Sequence, residues 1–170
     1  MSDQSYDQAT LPVSKGGLGI RPASEIAIPG FLSSVHASTA IAKSLLPQTL
    51  QEHANVHWES ALNVWKEKTG KNVLPDEPKY QASWDEPLYE ARFEKLLQQS
   101  NNDQELARLL AISTESASDW LCALPMPTLG LHLDPTALKI ACGLSLNAKL
   151  CQPHPCICGI IVEETSWLSL

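Results

Sequence analysis

The sequence predicts an all-α fold: about six helices in an irregular bundle, with a loop-rich N-terminus and a short Cys-rich C-terminal tail. Three observations lead there. Apolar residues recur at helical spacing across residues 29–148. Prolines, glycines and capping residues cut that pattern into helix-length segments. A content of 44% hydrophobic and 18% charged residues in 170 is that of a globular chain able to bury a core.

The elements follow in order. Residues 1–10 are polar and read as a frayed end. LPVSKGGLGIRP, residues 11–22, holds Gly16, Gly17 and Gly19 between Pro12 and Pro22, which makes it a loop or turn. Pro29 suits the first turn of a helix running to about Leu46. Leu32, Val35, Thr39, Ala42 and Leu46 share one face of it. A second helix, roughly 52–68, carries the stripe Trp58, Ala61, Leu62 and Trp65, and Gly70 ends it. Residues 71–83 form a linker with two prolines and no periodicity. The third helix, about 85–99, presents Tyr89, Phe93, Leu96 and Leu97. Asn102 or Asp103 caps a fourth, with Leu106, Leu109 and Leu110 inward. A short fifth spans Ser116 to Leu124. The prolines and Gly130 keep residues 124–135 extended. Asp134 as cap and Pro135 as first residue then open a sixth helix to about Ala148, with Ile140, Ala141 and Leu144 inward.

Charge narrows the function. The net charge is −7, and neither 1–50, 51–119 nor 120–170 is basic. Phosphate-backbone binding is driven by counterion release and needs a basic surface. Strong nucleic-acid contacts are therefore expected to lie outside this chain. No apolar run approaches the roughly 20 residues that cross a bilayer, so no membrane partner is expected. The opening MSDQSYDQAT does not read as a secretory signal, which makes disulfides the less favoured use of the five cysteines.

Three of those cysteines crowd together. Cys151, Cys156 and Cys158, with His154 between them, offer four ligands that suit zinc. Two readings stand: a structural zinc knuckle, or a Cys-rich loop that holds no metal. Cys122 and Cys142 read as small core residues on helices. His53 and His57 share a helix face but lack the Glu of a metalloprotease motif, so they read as solvated. SKGGLG lacks the Gly-Lys-Ser/Thr ending of a phosphate-binding loop, so its glycines more simply permit turns and close packing. Asp76/Glu77 and Asp85/Glu86 read as linker or helix-start charges. No nucleophile elbow and no carboxylate dyad is present, which leaves an independent enzyme as the least favoured class.

Three stretches, in order, carry a resemblance. LPVSKGGLGIRPASEIAIPGFLSS is similar to the segment just after the polymerase palm of non-LTR retrotransposon reverse transcriptases. SASDWLCALPMPTLGLHLDPTALKIACGLSLNAKLC resembles a segment further along such polyproteins. PHPCICG resembles the start of their zinc-knuckle-like motif. The match covers residues 11–35 and 116–159, and the middle is similar mainly in pattern. Relatives continue with His and Cys ligands where Ser166 and Leu170 stand here, so two ligands of the family pattern are replaced.

The resemblance implies three segments: 1–22, a Gly-rich loop following a palm; 23–148, a thumb- or connector-like helical domain; and 149–170, a truncated zinc-knuckle-like tail. It implies a non-catalytic fragment, since the palm aspartates are not in this sequence. Its ancestral role would be to support template–primer binding in RNA-directed DNA synthesis, with the RNA/DNA engaged through the polymerase core. Lys15 and Arg21, beside the Gly loop, would be the nucleic-acid contacts. Cys151, His154, Cys156 and Cys158 would hold a structural zinc. The alternative is a stand-alone helical module that binds a protein partner, with or without zinc.

Overall fold

Seven α-helices carry most of the described residues, which in this computed structural model are 2–47, 57–100 and 102–162. They are α1 Asp3–Ala9, α2 Ala23–Leu45, α3 Trp58–Thr69, α4 Gln81–Gln98, α5 Asp103–Ile112, α6 Asp119–Cys122 and α7 Pro135–Ser145. Short 3-10 turns lie at Val13–Lys15 and Pro127–Leu129. One antiparallel pair joins β1, His154–Pro155, to β2, Ile161–Val162, with His154 opposite Val162. The protein is thus all-α, as the periodicity predicts. The chain forms two compact units, Arg21–Lys95 and Met1–Ile20 with Leu96–Leu170.

The Arg21–Lys95 unit is built on tryptophan. Leu32 of α2, Leu62 and Trp65 of α3 and Trp84 of α4 form its buried cluster, with Ile28, Trp58, Ala61 and Leu88 against it. Trp65 and Trp84 meet edge to face, their ring centroids 5.1 Å apart. Burying an indole also buries an N–H that must find an acceptor. Trp65 Nε1 donates to the Trp84 carbonyl at 2.9 Å, and Trp84 Nε1 to the Pro78 carbonyl at 2.7 Å. The predicted apolar face of α2 is correct, since Leu32 is buried and Val35, Thr39, Ala42 and Leu46 are half-buried. α3 ends at Gly70 as expected.

Both helices with an interior proline start earlier than predicted. α2 begins at Ala23 and carries Pro29 inside, and α4 begins at Gln81 and carries Pro87 inside. An interior proline forfeits a backbone hydrogen bond at a cost of about 3 kcal/mol. Tertiary contacts offset it here: Pro29 is fully buried, and Glu25 in the first turn of α2 is gripped by both terminal nitrogens of Arg92 on α4. His53 and the expected helix start at 52 lie outside the described residues.

The other unit corrects the expected frayed end. Residues 3–9 are α1, capped by the Ser2 hydroxyl, which accepts from the Ser5 N–H at 3.1 Å. Ser5, Gln8 and Ala9 are buried. The element escapes a hydrophobic-pattern reading because its deepest anchor is an amide, not an apolar side chain. At the predicted positions, the Asn102 side chain caps α5 and Asp134 caps α7. Asp134 Oδ1 accepts from the N–H groups of Thr136 and Ala137 at 2.8 and 2.9 Å. Asp134→Ala is expected to cost about 1 kcal/mol, read as a lower urea midpoint. An unchanged midpoint would mean that α7 does not depend on its cap.

Several expected inward positions face solvent instead. Leu110 and Ile140 are exposed, and so is Cys122, which the helix pattern placed in the core. Cys142 is half-buried. α6 lasts only from Asp119 to Cys122, too short to turn a full apolar face inward.

Candidate functional site

The Gly-rich corner is a packed structural element. The chain leaves α1, turns through Val13–Lys15 and doubles back along itself. Gly16 N–H donates to Val13 O at 3.0 Å, Gly17 N–H to Pro12 O at 3.1 Å, Leu18 N–H to Ala9 O at 3.1 Å and Gly19 N–H to Leu11 O at 2.9 Å. A phosphate cradle needs such donors free; these are spent on the chain's own carbonyls. That agrees with the reading of the glycines as turn and packing residues. A Cβ on Gly17 would stand 2.0 Å from the Leu11 carbonyl oxygen, so the approach is closed to any larger residue.

A buried polar staple holds this corner. Gln8 Nε2 donates to the carbonyls of Gly16 and Ser145, both at 2.9 Å. Arg108 on α5 donates to Gln8 Oε1 at 3.0 Å and also to the Ser145 carbonyl. Burial pushes the Arg108 guanidinium below its usual value, and the neighbouring Glu105 carboxylate opposes that shift. An open cleft of about 490 Å³ flanks Arg108, walled in part by Ala107, Ala111, Ile112 and Ala117. Sequence reasoning missed Gln8 and Arg108, because a lone Gln in a polar run carries no periodic signal.

The two predicted nucleic-acid contacts have different surroundings. Lys15 ends the Val13–Lys15 turn and is half-buried. Arg21 donates to Asp85 Oδ1 at 2.6 Å, and its guanidinium lies 5.2 Å from the centre of the Tyr89 ring. Asp85, expected as a solvated or helix-start charge, is buried as that partner. The Tyr89 phenol is raised above its usual value, first by burial and second by the Asp85 charge.

The Cys-rich tail forms a small hairpin. Cys156 N–H donates to Ile160 O at 2.8 Å, and Gly159 N–H returns to Cys156 O at 2.9 Å. The neighbouring Cys158, through its backbone first and its side chain second, holds the Cys156 thiol below its usual value. His154 bonds through Nδ1 to the Gln152 carbonyl at 2.9 Å. Of the four predicted ligands, Cys156 and Cys158 lie at the hairpin turn and His154 lies on β1. Among the described residues no group of three His, Cys, Asp or Glu side chains gathers as a metal site. Ser166 and Leu170 lie outside the described residues.

One stretch of the described surface is rich in exposed apolar side chains. From residue 124 to 140, Leu124, Met126, Leu129, Leu131, Leu133, Leu138 and Ile140 are all exposed, Leu124 at 69% and Leu129 at 64%. Asp134 and Lys139 are the only Asp, Glu, Lys or Arg in that stretch. Among the described residues no helix is long and apolar enough to cross a membrane. No family model, no curated protein and no solved structure matches the chain.

Proposed function

We propose that this protein is a non-catalytic helical connector of the kind found in non-LTR retrotransposon reverse transcriptases, and that it acts by docking on the polymerase core that holds template and primer. The exposed run from Leu124 to Ile140 carries the proposal. Surface apolar residues scattered singly are ordinary, whereas a contiguous set marks an interaction face. The stretch WLCALPMPTLGLHLDP also belongs to the second of the three resembling segments, so pattern and surface coincide. With a net charge of −7, direct backbone contact is a minor part, confined to Lys15 and Arg21.

Filter binding of an RNA-template/DNA-primer duplex tests this reading. The chain alone is expected to retain little duplex at low salt. Added to the palm-and-fingers domain of a non-LTR element, it is expected to raise that domain's retention of duplex. Leu129→Asp combined with Leu131→Asp should abolish the gain while leaving the far-ultraviolet dichroism unchanged. Retention by the palm domain that does not respond to the wild-type chain would overturn the proposal. The same exposed run favours a second reading, a stand-alone docking module for another protein. A chain that never alters duplex retention, yet shows saturable binding to one purified protein through Leu129, would establish that reading instead.

A further inference from the structure

Helix α5 presents two adjacent rows of side chains to the open cleft beside Arg108. Glu105, Arg108 and Ile112 are spaced i, i+3, i+7, and so are Gln104, Ala107 and Ala111, so each row runs along one face of the helix. Ala117, from the turn after α5, and Asn147, from the turn after α7, also line the cleft. Three segments of the chain thus border about 490 Å³, a volume of the size that holds small molecules. Ser116, next to Ala117, has a φ of +67°, a left-handed conformation that is costly for serine and recurs where backbone is held for a ligand.

The charged side chains of the lining are one base and one acid, Arg108 and Glu105, both half-buried. Among the described residues, Arg108 bonds the protein through Nη1, to Gln8 Oε1 and to the Ser145 carbonyl. Its Nε is buried without an acceptor. A guanidinium grips a carboxylate through two parallel N–H groups, and the Nε–Nη2 edge is the pair that Nη1 leaves over. Burial lowers the Arg108 guanidinium and the Glu105 charge opposes it, so the two charges sense each other.

We propose that this cleft is a binding site for a free α-amino acid with a large apolar side chain. The ligand carboxylate takes the Nε–Nη2 edge of Arg108 and supplies the acceptor that Nε lacks. The ligand ammonium sits on the Glu105 carboxylate, whose two oxygens have room for several donors beside the partners it already has. The ligand side chain lies along Ala107, Ala111, Ile112 and Ala117, where three alanines leave it space. One charge of each sign repels part of any simple anion or cation and suits a zwitterion. The site shares no residue with the exposed run from Leu124 to Ile140 and does not depend on the docking function proposed above.

Equilibrium dialysis of the full chain against radiolabelled L-phenylalanine tests the site. Saturable binding is expected. Two analogues that each lack one charge, 3-phenylpropanoate and phenethylamine, should compete at least about tenfold more weakly, the worth of a hydrogen bond to a charged group. Glycine, with both charges and no side chain, should not compete at the same concentration. Ala111→Trp fills the apolar wall and Glu105→Gln removes the partner of the ammonium. Each should weaken binding by about tenfold or more with the far-ultraviolet dichroism unchanged. No saturable binding of L-phenylalanine would overturn the site. So would equal competition by either one-charge analogue, or binding that survives both substitutions.

Discussion

Trp84→Ala is expected to destabilise the Arg21–Lys95 unit by about 3–5 kcal/mol, the range for removing a fully buried large aromatic. Trp84 has no exposed surface and touches both other indoles of the unit edge to face, Trp65 at 5.1 Å and Trp58 at 6.0 Å. Its own carbonyl accepts from Trp65, and its own N–H donates to Pro78. Truncation therefore opens a cavity and leaves the Pro78 carbonyl without that donor. Urea denaturation followed by far-ultraviolet dichroism is the measurement. Trp58→Ala is the comparison, because Trp58 packs only at the edge of the cluster and should cost less. Equal losses at the two positions would show that the three indoles do not form the core described here.

Gly17→Ala is expected to cost about 3 kcal/mol, at the upper end for forcing atoms into a packed site. The obstruction is backbone: a Cβ would lie 2.0 Å from the Leu11 oxygen and 2.5 Å from its carbonyl carbon. Such a clash is not relieved by rotating a side chain, so the Ala9–Ile20 fold-back must open. That would strain the Gly16 carbonyl that Gln8 binds and, through Gln8, the contact with Arg108. Gly19→Ala separates the causes. Gly19 has nothing within 4 Å but a φ of +68°, so its substitution carries backbone strain alone, about 1–2 kcal/mol. A Gly17→Ala variant as stable as Gly19→Ala would show that the corner is not closed as tightly as the structure has it.

The two buried clusters differ in how readable they are. The tryptophan cluster is half legible: the i, i+3, i+4, i+7 stripe Trp58, Ala61, Leu62, Trp65 announces itself, since helical geometry repeats every 3.6 residues. Trp84 does not, because it falls between the linker read at 71–83 and the helix read from about 85, and becomes helical when α4 starts early at Gln81. The Gln8–Arg108 staple leaves no trace of that kind. Its partners are backbone carbonyls at Gly16 and Ser145, and a hydrogen bond across 137 positions has no local sequence signature. Of the tail, the crowding of Cys156 and Cys158 was visible in the sequence, while the hairpin that sets His154 opposite Val162 was not.

By itself the sequence determined the all-α class, the Asp134 cap, a cap at Asn102 or Asp103, the stop at Gly70 and the structural use of the glycines. These follow from local physics: side-chain periodicity, capping hydrogen bonds and the steric freedom of glycine act within a few residues. Only the tertiary structure decided that residues 3–9 form a helix, that Pro29 and Pro87 lie inside helices, that Asp85 is buried against Arg21, and that Leu124 to Ile140 face solvent. Each of these depends on a partner distant in the chain. An apolar residue looks the same in sequence whether it fills a core or waits at a docking face, because its spacing records a helix and not what covers it.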